Sequence, residues 1–236
     1  MSLRVTSWIG VGVVAAVLLS GCGGDTATRK VSGQIPEDLR SGFLQDYSRV
    51  EPVAGEPAVM RWVNPATDWS KYRAFMIEPV DSVVPPAYRE EVQPNPEVVV
   101  AVTRYFREAL TREIGTKFKV VDEPGAGVAR INVAITSFVP TTKQLSAWQY
   151  LPIGLVAVGV GEMTGRRDRE IVVFMEGEMT DSLNGQLLLE VMQGRTSTEG
   201  GIRRIEEITP ETVKPVLDFW AKEHLDLLLD AQAGKL

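Results

Sequence analysis

The chain of 236 residues carries 31 Asp and Glu against 25 Lys and Arg, a formal net charge of −6. That balance excludes nucleic acid as a partner. A phosphate backbone is held by clustered cations, whereas Arg166, Arg167 and Arg169 alternate with Asp168 and Glu170 and read as a solvated mixed-charge face. A single cysteine, Cys22, and a single histidine, His224, exclude an internal disulfide and argue against zinc centres and histidine-assisted nucleophiles.

The first element in chain order is a leader. Arg4 precedes an apolar run of 12 residues from Trp8 to Leu19, followed by Leu19-Ser20-Gly21-Cys22. The run falls short of the roughly 20 residues that a membrane-crossing helix needs. The four residues ending at Cys22 resemble the lipobox of bacterial lipoproteins. The resemblance implies cleavage between Gly21 and Cys22 and acylation of Cys22, with palmitate among its chains. Each buried methylene contributes about 0.8 kcal/mol, so more than one chain gives a permanent membrane anchor. Loss of residues 1–21, which include Arg4, leaves 215 residues of net charge −7. Gly23 follows the cysteine and the nearest acid, Asp25, comes later, which points to the outer membrane with the protein facing the periplasm. Residues 22–35 are small and polar and read as a flexible tether. Residues 36–236 form one periplasmic domain, a size that supports a single hydrophobic core.

Between Pro36 and Lys71, aromatic anchors (Phe43, Tyr47, Trp62, Trp69) mix with Pro52, Pro57 and Pro65, giving an extended segment packed along the domain. Tyr72 to Val80 reads as a buried strand bounded by prolines. A helix follows: Asn95 caps it, Pro96 takes the first position, and Val99, Val102, Phe106, Leu110 and Ile114 form one apolar face before Gly115. Lys117 to Asp122 and Val128 to Pro140 are strands joined by a Pro- and Gly-rich turn, Glu123 to Gly127. Glu170 to Met179 and Gln186 to Gln193 form a hairpin turning through Asp181-Ser182-Leu183-Asn184-Gly185. A last helix runs from Pro215 to Ala231, with Val216, Trp220, His224 and Leu228 on one stripe, and Pro210 starts a separate short turn. The pattern predicts an α+β fold: one mixed, mostly antiparallel sheet of about five strands, with two helices packed on one face.

Three constellations bear on chemistry. Gly159 to Gly165 has the spacing G-x-G-x-x-x-G and precedes a strand, so it lacks the helix N-terminus a dinucleotide loop requires. Asp181 to Gly185 has Leu183 where a calcium loop needs an oxygen ligand. No cofactor or metal is expected. Glu176 and Glu178 share a strand face with Asp181 nearby; the cluster reads first as a solvated strand face, otherwise as a polar partner contact, a weak cation site or an acid–base pair. His224 lies on an apolar stripe and reads as a histidine at the core edge. The uncharged stretch Trp148 to Gly161 is the most unusual. It reads as a core strand or packed loop, as a partner or lipid surface led by Trp148, Tyr150, Leu151, Ile153 and Leu155, or as a pore strand from Leu151 to Gly161.

Ser41 to Ser48 (SGFLQDYS), Trp62-Val63-Asn64-Pro65, and Glu176 to Leu189 resemble, in this order, the proteobacterial lipoproteins grouped as domain of unknown function 3313, over about residues 35 to 232. The resemblance implies an envelope lipoprotein and brings no catalytic residues. The order of elements also looks like small lipoprotein domains that bind envelope partners, such as activators of peptidoglycan synthases and curli-secretion subunits. The sequence therefore predicts a non-enzymatic outer-membrane lipoprotein whose domain binds an envelope protein or peptidoglycan-associated partner. An oligomeric secretion or channel subunit, or a carboxylate-based enzyme, are the alternatives.

Overall fold

A computed structural model describes residues 28–30, 35–56, 58–90, 95–142, 169–197 and 208–236. The described strands are β1 (Thr28–Lys30), β2 (Glu51–Pro52), β3 (Val59–Val63), β4 (Ala74–Ile77), β5 (Asp81–Ser82), β6 (Lys119–Val120), β7 (Val128–Thr142), β8 (Arg169–Asp181) and β9 (Leu187–Ser197). All nine join one mixed sheet in the order β2-β3-β9-β8-β7-β4-β6, with β1 paired to β9 and β5 to β7. Pairings within β1, β2, β3, β7, β8 and β9 are antiparallel except where β7 meets β4 and β5, and β4 also runs parallel to β6.

The α+β class and the single mixed sheet match the sequence reading, but the sheet has nine strands among the described residues rather than about five. Three of the four unforeseen strands, β1, β2 and β5, are two or three residues long, too short for any periodicity to register. The fourth unforeseen element is β3, inside the proline-spaced segment that reads as merely extended. Pro57 and Pro65 flank Val59–Val63 without entering it, so its backbone donors stay free to pair with β9. Thr28–Lys30, inside the expected tether, also pairs with β9.

Helix α1 (Pro96–Gly115) begins as the sequence indicates, with the Asn95 side chain accepting from the Glu97 N–H at 2.9 Å. Its buried face is Val102, Phe106, Ala109, Leu110 and Ile114. Helix α2 spans Pro210–Gln232, so Pro210 opens the helix itself rather than a separate turn. A reciprocal cap between Thr209 and Thr212 fixes that start. Pro215 then sits inside the helix, where its missing N–H orphans the carbonyl of Glu211, an exposed residue of the first turn.

Both helices pack against the same sheet face. Phe106, Leu110, Val216 and Trp220 meet Ile77, Ile131, Val133, Val173, Met175 and Val191 in one core. His224 belongs to this core: its Nδ1 lies 2.7 Å from the Trp220 carbonyl, its ring meets Phe106 edge to face, and burial lowers its basicity. At the sheet's β9 end, Arg195 donates to Glu223 of α2 at 2.8 Å while its guanidinium lies 3.7 Å from the Phe219 ring centre, tying helix to strand. A second, smaller core lies on the opposite face, where residues 35–50 and Tyr88 cover Val172, Phe174 and Met192.

The turn before β7 is held by backbone hydrogen bonds and by the Ser182 hydroxyl, which lies within hydrogen-bond distance of the Gly125 N–H and carbonyl. Gly127 has φ +72°, its carbonyl accepts from the N–H groups of Arg73 and Ala74, and an added Cβ would stand 2.6 Å from the Lys71 carbonyl oxygen. Gly127→Ala should therefore lower stability by about 2 kcal/mol in urea unfolding. Gly125→Ala, whose Cβ would make only an ordinary contact with Val128, should change it by less than about 0.5 kcal/mol.

Candidate functional site

Alternation along β8 puts Glu176 and Glu178 on the face away from the helices. The ladder then fixes their neighbours. Glu178 stands between Asn132 of β7 and Glu190 of β9, and Glu190 in turn opposes Trp62 of β3. Glu176 stands between Ala134 and Met192. The sheet thus assembles a polar row of Asn132, Glu178 and Glu190 next to a buried carboxylate at Glu176.

The face is not solvated, contrary to the reading of the sequence. Glu176 is 1% exposed, because residues 36–50 cross over it as a strap. Its Oε1 accepts from the Ser41 N–H at 2.9 Å; its Oε2 accepts from the Ser41 hydroxyl at 2.9 Å and the Tyr47 hydroxyl at 2.5 Å. Tyr47 in turn accepts from the Gly42 N–H, and burial together with the bond to Glu176 raises the pKa of its phenol. Three donors of the chain itself thus engage both oxygens of one enclosed carboxylate. Chemically the arrangement is a clamp. Gly194 makes room for it: the Phe174 ring lies where a Cβ at Gly194 would come within 2.5 Å, which lets the aromatic lie flat beneath the strap.

Arg49 fastens the other end of the strap. It donates to Glu190 Oε2 at 3.3 Å, pairs with Asp46 at 3.4 Å and stacks over Trp62 with its Cζ 5.6 Å from the ring centre. Glu190 is fully buried, and its Oε1 has no hydrogen-bond partner. Burial pushes the Glu190 carboxyl pKa up; Arg49 opposes this and Glu178 reinforces it. Glu178 is half-buried and accepts from Asn132 at 2.9 Å.

Asp181 does not join its two expected partners. It closes the hairpin turn, accepting from the N–H groups of Leu183 and Asn184, and receives the Tyr72 hydroxyl at 3.0 Å. Burial raises its pKa, but these donors outweigh it and hold the carboxyl below its usual range, while burial and Asp181 push Tyr72 up to about 12. Of the three flagged acids, the structure gives Glu176 and Glu178 a shared face and assigns Asp181 to a turn. Sequence reasoning missed Ser41, Tyr47, Arg49 and Glu190. The signal for Glu190 was available as hairpin register, but a β-bulge between Met179 and Thr180 shifts the count. Gly21, Cys22, Trp148, Tyr150, Leu151, Ile153 and Leu155 lie outside the described residues. Among the described residues, no three His, Cys, Asp or Glu side chains converge as a metal site.

Glu176→Ala removes the acceptor of three hydrogen bonds and should cost about 3 kcal/mol, with tryptic cleavage at Arg40 and Arg49 accelerating. Glu178→Ala should cost less than about 1 kcal/mol and leave cleavage unchanged. Glu190 gives a pH signature. Its raised folded pKa means that stability is full below the ordinary glutamate range and is lost as pH rises through the folded value. Glu190→Gln should accordingly melt above the wild type near pH 8 and level with it near pH 4, about where a free glutamate half-titrates. Equal shifts at both pH values would contradict this.

The three segments that carry the family resemblance meet at this clamp. Ser41 and Tyr47 bind Glu176, and Asn64 donates from its side chain to the Leu187 carbonyl and from its backbone to Leu188. A family model described as "Protein of unknown function (DUF3313)" matches residues 39–224. The "Uncharacterized lipoprotein YdcL" of Escherichia coli strain K12 is 28% identical over 229 residues, covering 94% of this chain and 96% of the relative. Among solved structures, a PelC dodecamer from Paraburkholderia phytofirmans aligns at 12% identity over 72% of this chain and 95% of that chain, with a TM-score of 0.36. Protein XCC0632 from Xanthomonas campestris aligns at 11% identity over 73% and 92%, with a TM-score of 0.39. Structural scores of this size carry no residue and no activity across. No helix among the described residues is long and apolar enough to cross a membrane. The chain belongs to the DUF3313 family of proteins of unknown function, and its curated relative is an uncharacterised lipoprotein.

Proposed function

We propose that this protein is a non-enzymatic lipoprotein, anchored through Cys22 to the outer membrane, whose periplasmic domain binds another component of the cell envelope. The observation that carries the reading is the closure of Glu176. The carboxylate best placed for acid–base work has three donors of its own chain on its two oxygens and lies beneath the strap. Asp181 is committed to a turn, and His224 to the core. With the acidic cluster used in this way, the chain's distinctive chemistry is its lipobox cysteine, and position in the envelope is what that chemistry provides. The lipoprotein relative, matched over nearly its whole length, supports the anchor. Gly23 after the cysteine favours the outer membrane over the inner.

Cys22→Ser should abolish incorporation of labelled palmitate and leave the unprocessed precursor; a labelled, processed variant would refute the anchor. Photo-crosslinking from the exposed surface in intact cells, read by mass spectrometry, should recover one specific envelope partner. Recovery of only abundant, non-specific neighbours under several growth conditions would count against the binding role.

A further inference from the structure

One end of the sheet collects four strand ends. Thr28 of β1 is the register partner of Ser197 at the end of β9, Ser197 pairs with Ile171 near the start of β8, and Thr142 at the end of β7 pairs with Arg169. The chain leading back to Cys22 therefore leaves the sheet from this pole. The opposite pole holds the Asp181–Gln186 turn, the Gly125–Gly127 turn and the end of α2, whose Gln232 binds the carbonyls of Trp69 and Tyr72.

Two lengths decide which pole can meet a membrane. Cys22 and Thr28 are six residues apart, a reach of at most about 20 Å even fully extended. From Ser197 back to Leu187, β9 runs ten residues, about 33 Å. While β1 stays paired, a bilayer that holds Cys22 cannot be brought under the far pole.

We infer that the domain stands on the membrane with the β1/β9/β8 pole facing the lipid headgroups and the Leu183 turn pointing away. This orientation rests on the proposed acylation of Cys22. It leaves the far pole, the helix face and the strap face available to a partner.

The test uses the full-length acylated protein. With Cys22 blocked by its lipid, a cysteine introduced by Ser197→Cys or by Leu183→Cys is the sole free thiol, and Leu183 is 65% exposed. Each variant is labelled with a fluorophore and bound to vesicles of phosphatidylethanolamine and phosphatidylglycerol containing headgroup-nitroxide lipid. Loss of fluorescence is expected for the Ser197 label, and none beyond the nitroxide-free control for the Leu183 label. A third label from Lys119→Cys, at the far pole on β6, should behave like Leu183. Equal loss at all three positions, or greater loss at Leu183, overturns the orientation while leaving the anchor intact. Protein that fails to float with the vesicles overturns the anchor, and the orientation with it.

Discussion

A buried carboxylate with three donors from one short stretch of chain organises the unhelical side of this protein. Glu176 sits in the middle of the sheet, and the energy of leaving it unpaired there would be several kcal/mol. Ser41 and Tyr47 remove that penalty, and in doing so they fix the path of a strap that has no regular structure beyond single turns. Once the strap is placed, Leu39, Leu44 and Val50 cover Phe174 and Met192, and the second core forms. Arg49 then lands beside Glu190 and over Trp62, which ties the strap to β9 and β3 as well. The polar contacts choose the register and the apolar ones supply most of the stabilisation.

This arrangement explains why the family's most recognisable segments are far apart in sequence and adjacent in space. Ser41–Ser48, Trp62–Pro65 and Glu176–Leu189 meet as strap, edge strand and central hairpin. Their polar side chains bond one another and the backbone across the fold. Glu190 is the exception, with one oxygen unpaired and a pKa displaced upward by burial. It sits where the strap, β8 and β9 converge, so its charge state bears on how tightly the strap is held.

Much of the fold was legible in the residues. Asn95, Pro96 and the Val102–Ile114 stripe define α1; the Asn184-Gly185 turn defines the β8–β9 hairpin; Val216, Trp220, His224 and Leu228 define the buried face of α2. What escaped was tertiary in origin. β1, β2 and β5 are strands only because a neighbour offers them a ladder, and two or three residues have no periodicity of their own. Glu176 looked like a solvent-facing acid because alternation gives a face but not what covers it. The covering strap lies some 130 residues earlier in the chain, held by hydroxyls and a backbone N–H that no local pattern announces. The candidate acids were found, then, but their role was misread for want of the partner.

Amide hydrogen exchange on the wild-type domain tests this most directly. If the Glu176 clamp makes the strap part of the folded unit, the Ser41 amide should exchange as slowly as the amides of β8 and β9, opening only with them. Exchange of Ser41 at the rate of an exposed loop, while β8 and β9 remain protected, would show that the strap is an appendage and the clamp a minor contact.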